Sequence, residues 1–266
     1  MKQVIPVWVI NLKKRPDRLL KIGNQLDQMG LSWERIDAVD GRNCDKKLLN
    51  ISRKSGKIGS LSKSVRGCTA SHFKFWKLLS LSNFMYGIIL EDDVELSNDF
   101  KDLVCDSSWI PNTSNIIKLE KFAGHRASKL LLGPPISSAL NNTRTIHKMY
   151  SKHAGTGAYL MTKSGAEIAS NWTKLFSVPV DHLLFNENVS KLSSSLEPLI
   201  LVPPIAWQLN ENGDFSNIDD DIKKPLPKLY KYIRSIKRGY YECRLLPYQL
   251  IILLSGKAKI KLVEKK

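Results

Sequence analysis

The 266-residue chain reads as an α/β fold with a mostly parallel sheet covered on both faces, and three observations carry that reading. Short apolar runs alternate with amphipathic stretches of helical period, the pattern of successive βα units. Hydrophobic residues make up 42% and charged residues 25%, so a substantial core forms and disorder is not the default. The length suits one large domain, or a domain of about 200 residues with an appendage.

Residues 6–12 supply the first strand. A charged turn follows, then a helical pattern through Leu19, Leu20, Ile22, Leu26 and Met29 that Gly30 stops. Residues 33–39 offer a second strand. Residues 52–64 are rich in Ser, Lys and Gly, which predicts a mobile loop able to order on a polyanionic ligand. Residues 68–81 are apolar at helical spacing, with Phe73, Trp76, Leu78 and Leu79 as core candidates, and 86–90 return as a strand. A short helix over 100–104, a strand over 115–119 and hairpin strands over 130–132 and 145–150 come next. Residues 158–161 form a further strand, and Thr162 is placed to cap the helix after it. No internal repeat is visible.

The composition breaks at 210–221, where an Asn/Gly-rich stretch ends in Asp219-Asp220-Asp221. This divides the chain into a main domain, 1–221, and a basic amphipathic segment, 222–266. The second part holds 13 Lys or Arg against two Glu, a local charge of +11 out of +16. Residues 226–254 read as a basic amphipathic helix or helix pair. Their apolar run, 245–254, is shorter than the roughly 20 residues a membrane span needs. Binding to an anionic membrane surface is the expectation, each basic residue contributing about 1 kcal/mol there. Cys44, Cys68, Cys105 and Cys243 are scattered and form no C-x-x-C pair, which argues against a zinc ribbon or disulfide scaffold. Residues 1–10 carry one lysine and a proline and no cleavage site, so they read as a core strand of a cytoplasmic protein.

The chemistry is concentrated where Glu91-Asp92-Asp93 follows the apolar run 86–90. At an effective dielectric of about 20, two carboxylates about 4 Å apart repel by about 4 kcal/mol, so a cation, a basic partner or a protonation shift must hold them. A divalent metal with oxygen ligands is the natural candidate; a solvated acidic turn is the plain alternative. Asn11, Leu12, Arg15 and Arg18 lie where the first strand gives way to a helix, a place suited to a diphosphate or simply to a basic helical turn. Arg66 opens the next helix, with Ser71 and His72 a turn later. Gly155-Thr156-Gly157 permits close backbone approach or a tight turn. Asp181 opens a short helix, as an N-cap worth about 1 kcal/mol or as a base.

Taken in order, N-L-x-x-R-x-D-R from Asn11, R-G-C-T-A-S-H from Arg66, I-I-L-E-D-D-V from Ile88, G-T-G-A-Y-L-M from Gly155 and P-V-D-H-L-L-F from Pro179 make a recognisable series. The chain resembles glycosyltransferase family 25, the lipooligosaccharide galactosyltransferase group that includes the collagen galactosyltransferases. The resemblance runs over residues 4–208. It implies a GT-A type fold with a Rossmann-like nucleotide half. It also implies a UDP-sugar donor, most often UDP-galactose, and transfer with inversion to a sugar hydroxyl of a lipooligosaccharide or lipopolysaccharide core. Glu91 and Asp93 would bind Mn²⁺ or Mg²⁺ in place of a D-x-D motif, although E-D-D departs from that spacing. Asn11, Leu12, Arg15, Arg18, Arg66, Ser71, Gly157 and Gln208 would face the nucleotide, and Asp181 would take the acceptor proton.

On an extended chain Glu91 and Asp93 would share one side and Asp92 the other. Two rival classes stand beside the enzyme. The pI of 9.6 prompts a nucleic-acid binder, but no nucleic acid is expected as partner, because no matching motif is present and the acidic cluster repels phosphate. The other rival is a glycosyltransferase-like module without activity.

Overall fold

The structure is a computed structural model describing residues 4–121, 128–208 and 228–264. It opens with strand β1 (Val7–Asn11), helix α1 (Pro16–Gln28) and strand β2 (Trp33–Asp37). A small hairpin, β3 (Ser55–Gly56) and β4 (Gly59–Ser60), leads to α2 (Lys63–Leu81), β5 (Tyr86–Glu91), β6 (Val94–Leu96) and α3 (Phe100–Cys105). Then come β7 (Ile116–Lys118), β8 (Glu120–Lys121), β9 (Ser128–Ala139), β10 (Arg144–Met149), β11 (Ala158–Thr162), α4 (Lys163–Ser170), α5 (Val180–Phe185) and α6 (Lys191–Leu196). Strands β12 (Leu199–Val202) and β13 (Ala206–Gln208) precede α7 (Lys228–Glu242), α8 (Leu246–Leu254) and β14 (Lys259–Val263). The composition break at 210–221, with the boundary drawn there, lies outside the described residues.

The main sheet has the order β14-β9-β10-β12-β7-β11-β5-β1-β2. Strands β2, β1, β5, β7, β12 and β9 run one way, and β11, β10 and β14 run the other. The α/β architecture with a mostly parallel sheet is therefore present, with antiparallel strands inserted toward one edge.

Alternation along each strand separates two cores. Trp8, Ile10, Ile89, Tyr159 and Met161 pack with Phe75, Trp76 and Leu79 of α2 and with α4 to α6. Val7, Val9, Ile88, Leu90, Ala158 and Leu160 pack on the other face with Ile22 and Leu26 of α1 and Leu103 of α3. Fully burying each such side chain contributes roughly 1.5–3 kcal/mol, which fixes the strand register against a one-residue slip.

The helices stop and start as their chemistry dictates. Gly30, at φ +66°, takes the left-handed conformation just after α1. Ser62 accepts from Val65 N at 3.2 Å, so α2 begins earlier than the apolar run at 68–81 indicates. Thr162 caps α4 by accepting from Gly165 N at 3.1 Å. The predicted mobile loop 52–64 is instead tied down: Arg53 N donates to Phe176 O at 2.8 Å and Phe176 N to Ile51 O at 2.9 Å. The C-terminal helix pair is present, but the last element is a strand that the sequence reading did not anticipate. β14 pairs antiparallel with β9 from Lys259↔Leu132 to Val263↔Ser128.

Candidate active site

Topology gathers the chemistry at one end of the sheet. β1 and β5 are parallel neighbours, with Ile10 opposite Glu91, so Asn11 and Glu91 leave the sheet side by side. Chain order passes from β1 to β2 on one side and returns as β5 on the other, the switch point at which an open α/β sheet forms its crevice. β11 runs antiparallel between β5 and β7, which brings its entry, Gly155–Gly157, to the same end as Lys118. A three-stranded sheet, β6-β13-β8, takes up the chain three residues after Glu91 and two after Lys118 and carries Gln208 back to the site.

Glu91 is held from two sides. His72 Nε2 lies 3.2 Å and Thr156 Oγ1 2.6 Å from the same oxygen, Oε1. Burial pushes this carboxyl up, but the His72 and Thr156 hydrogen bonds win, and it stays below its ordinary range. His72 is itself fixed: Nδ1 lies 3.0 Å from Tyr159 Oη, which accepts from Trp76 Nε1 at 3.0 Å. With Glu91 ionised and able only to accept, Nε2–H donates to it, and Nδ1 shares a hydrogen bond with the Tyr159 hydroxyl. His72 therefore orients a carboxylate.

Asp92 and Asp93 do not continue the strand; they form a turn. This overturns the extended-chain alternation, because Arg18 Nη1 lies 3.5 Å from Asp92 and 3.6 Å from Asp93 at once. Asp92 also accepts from Asn11 Nδ2 at 2.6 Å. Burial raises Asp92, and burial with repulsion from Glu91 and Asp92 raises Asp93 to about 7. Asp93 Oδ1 is buried without a partner.

Sequence reasoning missed the pair behind them. Lys118 and Glu120 are both fully buried, and Lys118 Nζ donates to Glu120 Oε1 at 3.0 Å and to Gly155 O. The ammonium also sits 4.3 Å above the Phe185 ring. Glu120 Oε1 accepts from Gly157 N at 2.8 Å, while Oε2 has no partner. Burial raises this carboxyl against the pull of Lys118. The signal was two opposite charges, two residues apart, inside the apolar run 115–119 and its continuation. Gly157 is explained by the same carboxylate: a Cβ there would lie 2.5 Å from Glu120 Oε2 and 2.8 Å from Val94. Gln208 lies against Gly157 too, its Cγ 3.1 Å from that point.

The remaining candidates divide. Asp181 reaches the crevice, accepting from Gly155 N at 3.5 Å. It is not an N-cap: Pro179 holds that position, and Asp181 Oδ1 accepts from His182 N. Leu12 accepts from Arg15 N through its carbonyl. Arg15 pairs with Asp17, whose carboxyl this bond lowers to about 2. Asp17 also accepts backbone hydrogen bonds at the start of α1, so that helix end is already filled by a carboxylate. Ser71 and Arg66 are committed to loops: Ser71 Oγ accepts from Val39 N and donates to Gly67 O, and Arg66 Nη2 donates to Leu49 O at 2.6 Å.

Among the described residues, Cys68, His72 and Glu91 are the one group of three metal-type side chains whose ligand atoms lie within 4.8 Å of one another. Burial keeps the Cys68 thiol raised well above its ordinary range, with the nearby charges of Glu91, Asp181 and Asp93 adding to it. The thiolate is disfavoured there, and soft sulfur suits a hard divalent cation poorly. The unpartnered oxygens of Asp93 and Glu120 are the better fit to a hard divalent cation.

A family model described as glycosyltransferase family 25 (LPS biosynthesis protein) matches residues 4–184. Among known proteins, a Haemophilus influenzae protein with a provisional glycosyltransferase name is 27% identical over 68% of this chain and 62% of its own length. Lipooligosaccharide biosynthesis protein lex-1 of the same organism is 31% identical over 62% of this chain and 57% of its own. The human inactive glycosyltransferase 25 family member 3 is 31% identical over 36% of this chain and 17% of its own length. The chain thus spans about 60% of the length of the bacterial relatives it matches.

Proposed function

Because the chain belongs to glycosyltransferase family 25, we propose that it transfers a hexose, galactose from UDP-galactose, with inversion to a sugar hydroxyl of a lipooligosaccharide or lipopolysaccharide core. The observation that carries this reading is the crevice itself: Asp93, next to Arg18, and Glu120 each keep a buried carboxylate oxygen unpartnered, and Asn11 holds the neighbouring Asp92. Such oxygens suit Mn²⁺ or Mg²⁺, with Asp93 as first ligand, Glu120 beside it, and Glu91 held in place by His72 and Thr156. When bound, the cation neutralises charge developing on the leaving UDP.

Arg18 lies against Asp92 and Asp93 and contributes positive charge on the nucleotide side. Asp181 makes no ion pair among the described residues, and one of its oxygens receives only a long hydrogen bond. In the proposed step that oxygen takes the acceptor hydroxyl proton as the acceptor oxygen bonds to the anomeric carbon. The bond from that carbon to the β-phosphate oxygen breaks, and UDP leaves with the electron pair.

The acceptor would be met at the inner face of the cytoplasmic membrane. No described helix is long and apolar enough to cross a bilayer. Exposed Ile251, Leu254, Ile260 and Leu262 instead lie among Arg244, Lys257 and Lys259 on the C-terminal elements, a combination that suits an anionic interface. Deleting residues 222–266 would also strip β14 from β9, so point substitutions are the cleaner probe.

The test is UDP release from a panel of UDP-sugars, with Mn²⁺ or EDTA, with and without deacylated lipooligosaccharide core. Acceptor-stimulated release from one donor, lost with EDTA, is the expected result. No release and no UDP binding under any condition would sink the reading and leave the chain with its inactive relatives.

A further inference from the structure

A second cavity, of about 500 Å³, opens away from the carboxylates. Its walls come from the pinned segment 53–57, residues 172–178, the α5–α6 region and α7. Five cations line it, Arg53, Lys57, Lys174, Lys191 and Lys237, and no carboxylate does. Among the described residues none of the five is in an ion pair with an acid.

The wall is built rather than draped. Ser52 bridges to Phe176 in the manner of parallel strands, and a Cβ on Gly56 would lie 1.6 Å from Ser177 O. Lys57 Nζ donates to Val189 O at 2.7 Å and stands 5.7 Å over the Tyr241 ring. Burial lowers the Lys57 ammonium, and the charges of Arg244 and Lys191 push it down further, as expected of cations lacking a counterion. Trp172, Phe176 and Tyr241 add ring surface. Four of the five are exposed and Lys57 is half-buried, but all five line one concave site with aromatic walls. Helix α5 lies between the two sites: Asp181 is at Gly155 on one side, and Leu183, two residues on and so facing the other way, is in the cavity lining.

We propose that this cavity binds an anionic saccharide, a sugar bearing phosphate or carboxylate, and so anchors the charged part of an acceptor at a distance from Asp181. The assignment of that saccharide as acceptor rests on the glycosyltransferase reading; the binding site does not.

The probes are glucose 6-phosphate, glucose and inorganic phosphate, titrated against the full chain by calorimetry without donor or metal. Acceptor KM, kcat and acceptor-independent donor hydrolysis are measured alongside. Glucose 6-phosphate should bind, glucose should not, and inorganic phosphate should bind at least tenfold more weakly. The pair Lys174→Gln and Lys191→Gln should weaken sugar-phosphate binding about tenfold and raise KM for a phosphorylated core similarly. It should leave kcat and donor hydrolysis unchanged.

Unchanged sugar-phosphate affinity in the variant overturns the proposal. So does equal affinity for inorganic phosphate, or loss of anionic-vesicle binding with sugar-phosphate binding intact. Sugar-phosphate binding lost in the variant, with no donor turnover in any form of the protein, supports the anion site and sinks the enzyme reading instead.

Discussion

The crevice at the end of the sheet and the basic side of the molecule hold charge in opposite ways. In the crevice Glu91, Asp92, Asp93 and Glu120 are fixed on strand ends and turns, and each is oriented by a named donor or is left short of one. On the basic side most of the described cations are exposed, and none of the five that line the cavity pairs with an acid. Buried groups share partners, so changing one changes the rest. Solvated charges act through a summed field, so single changes are small.

The largest break should come from the crevice. Asp93→Asn is expected to reduce acceptor-stimulated UDP release by a factor on the order of 10³, roughly 4 kcal/mol of transition-state stabilisation. Retained full activity would remove Asp93 from the site. Next, Lys118→Met leaves Glu120 buried without its ammonium, a change that typically costs about 3–5 kcal/mol. Urea unfolding should show it, and a loss below about 1 kcal/mol would mean that Glu120 takes up a proton freely.

A smaller effect carries a sign. Asp93 is raised to about 7 in the fold against an ordinary 3.8. The folded protein therefore keeps a proton that the unfolded chain has already released, and stability without metal falls as pH rises from about 4 to about 7. Asn at this position lacks that decline. Asp93→Asn should then be more stable than the parent at pH 8 without metal, by on the order of 1 kcal/mol, and the gain should close below pH 4. Thermal melts at the two pH values with EDTA decide it, and a gain that is equal at both would mean that Asp93 is not the repelled group.

Smallest of all are single-charge changes on the basic side. Lys257→Gln should shift binding to anionic vesicles by no more than about 1 kcal/mol, about fivefold, and stability by under about 0.5 kcal/mol. Ile251→Ser with Leu254→Ser should abolish sedimentation with those vesicles while leaving the melting curve in place. A variant that still sediments would remove these apolar side chains from the interface.

The same contrast explains what was legible in the sequence. Periodicity gave β1, α1, β5, α2 and the hairpin β9–β10, because their side chains alternate between two apolar cores. The positions of Asn11, Arg18, Glu91, Asp93 and Asp181 at one end of the sheet follow from short motifs at strand ends. Glu120 and Lys118 were not legible as a pair, since their meaning comes from the neighbouring entry of β11. The turn at Asp92 and Asp93 was hidden for a similar reason: whether a chain stays extended after a strand depends on the sheet it enters next, here β6. Strand β14 looked like more basic tail because Lys259 and Lys261 alternate with exposed Ile260 and Leu262 and only Val263 reaches the core, as suits an edge.

That edge strand orders events during synthesis. β9 leaves the ribosome roughly 120 residues before β14 does, so throughout that interval the nascent chain presents the unpaired side of Leu130–Leu132 to whatever is near. Slow translation or early termination between the two strands would yield a chain whose β1–β5 half can be complete while its far edge is open to pairing with another copy. Chaperone demand in expression should therefore rise more with interruptions after β9 than with interruptions before it.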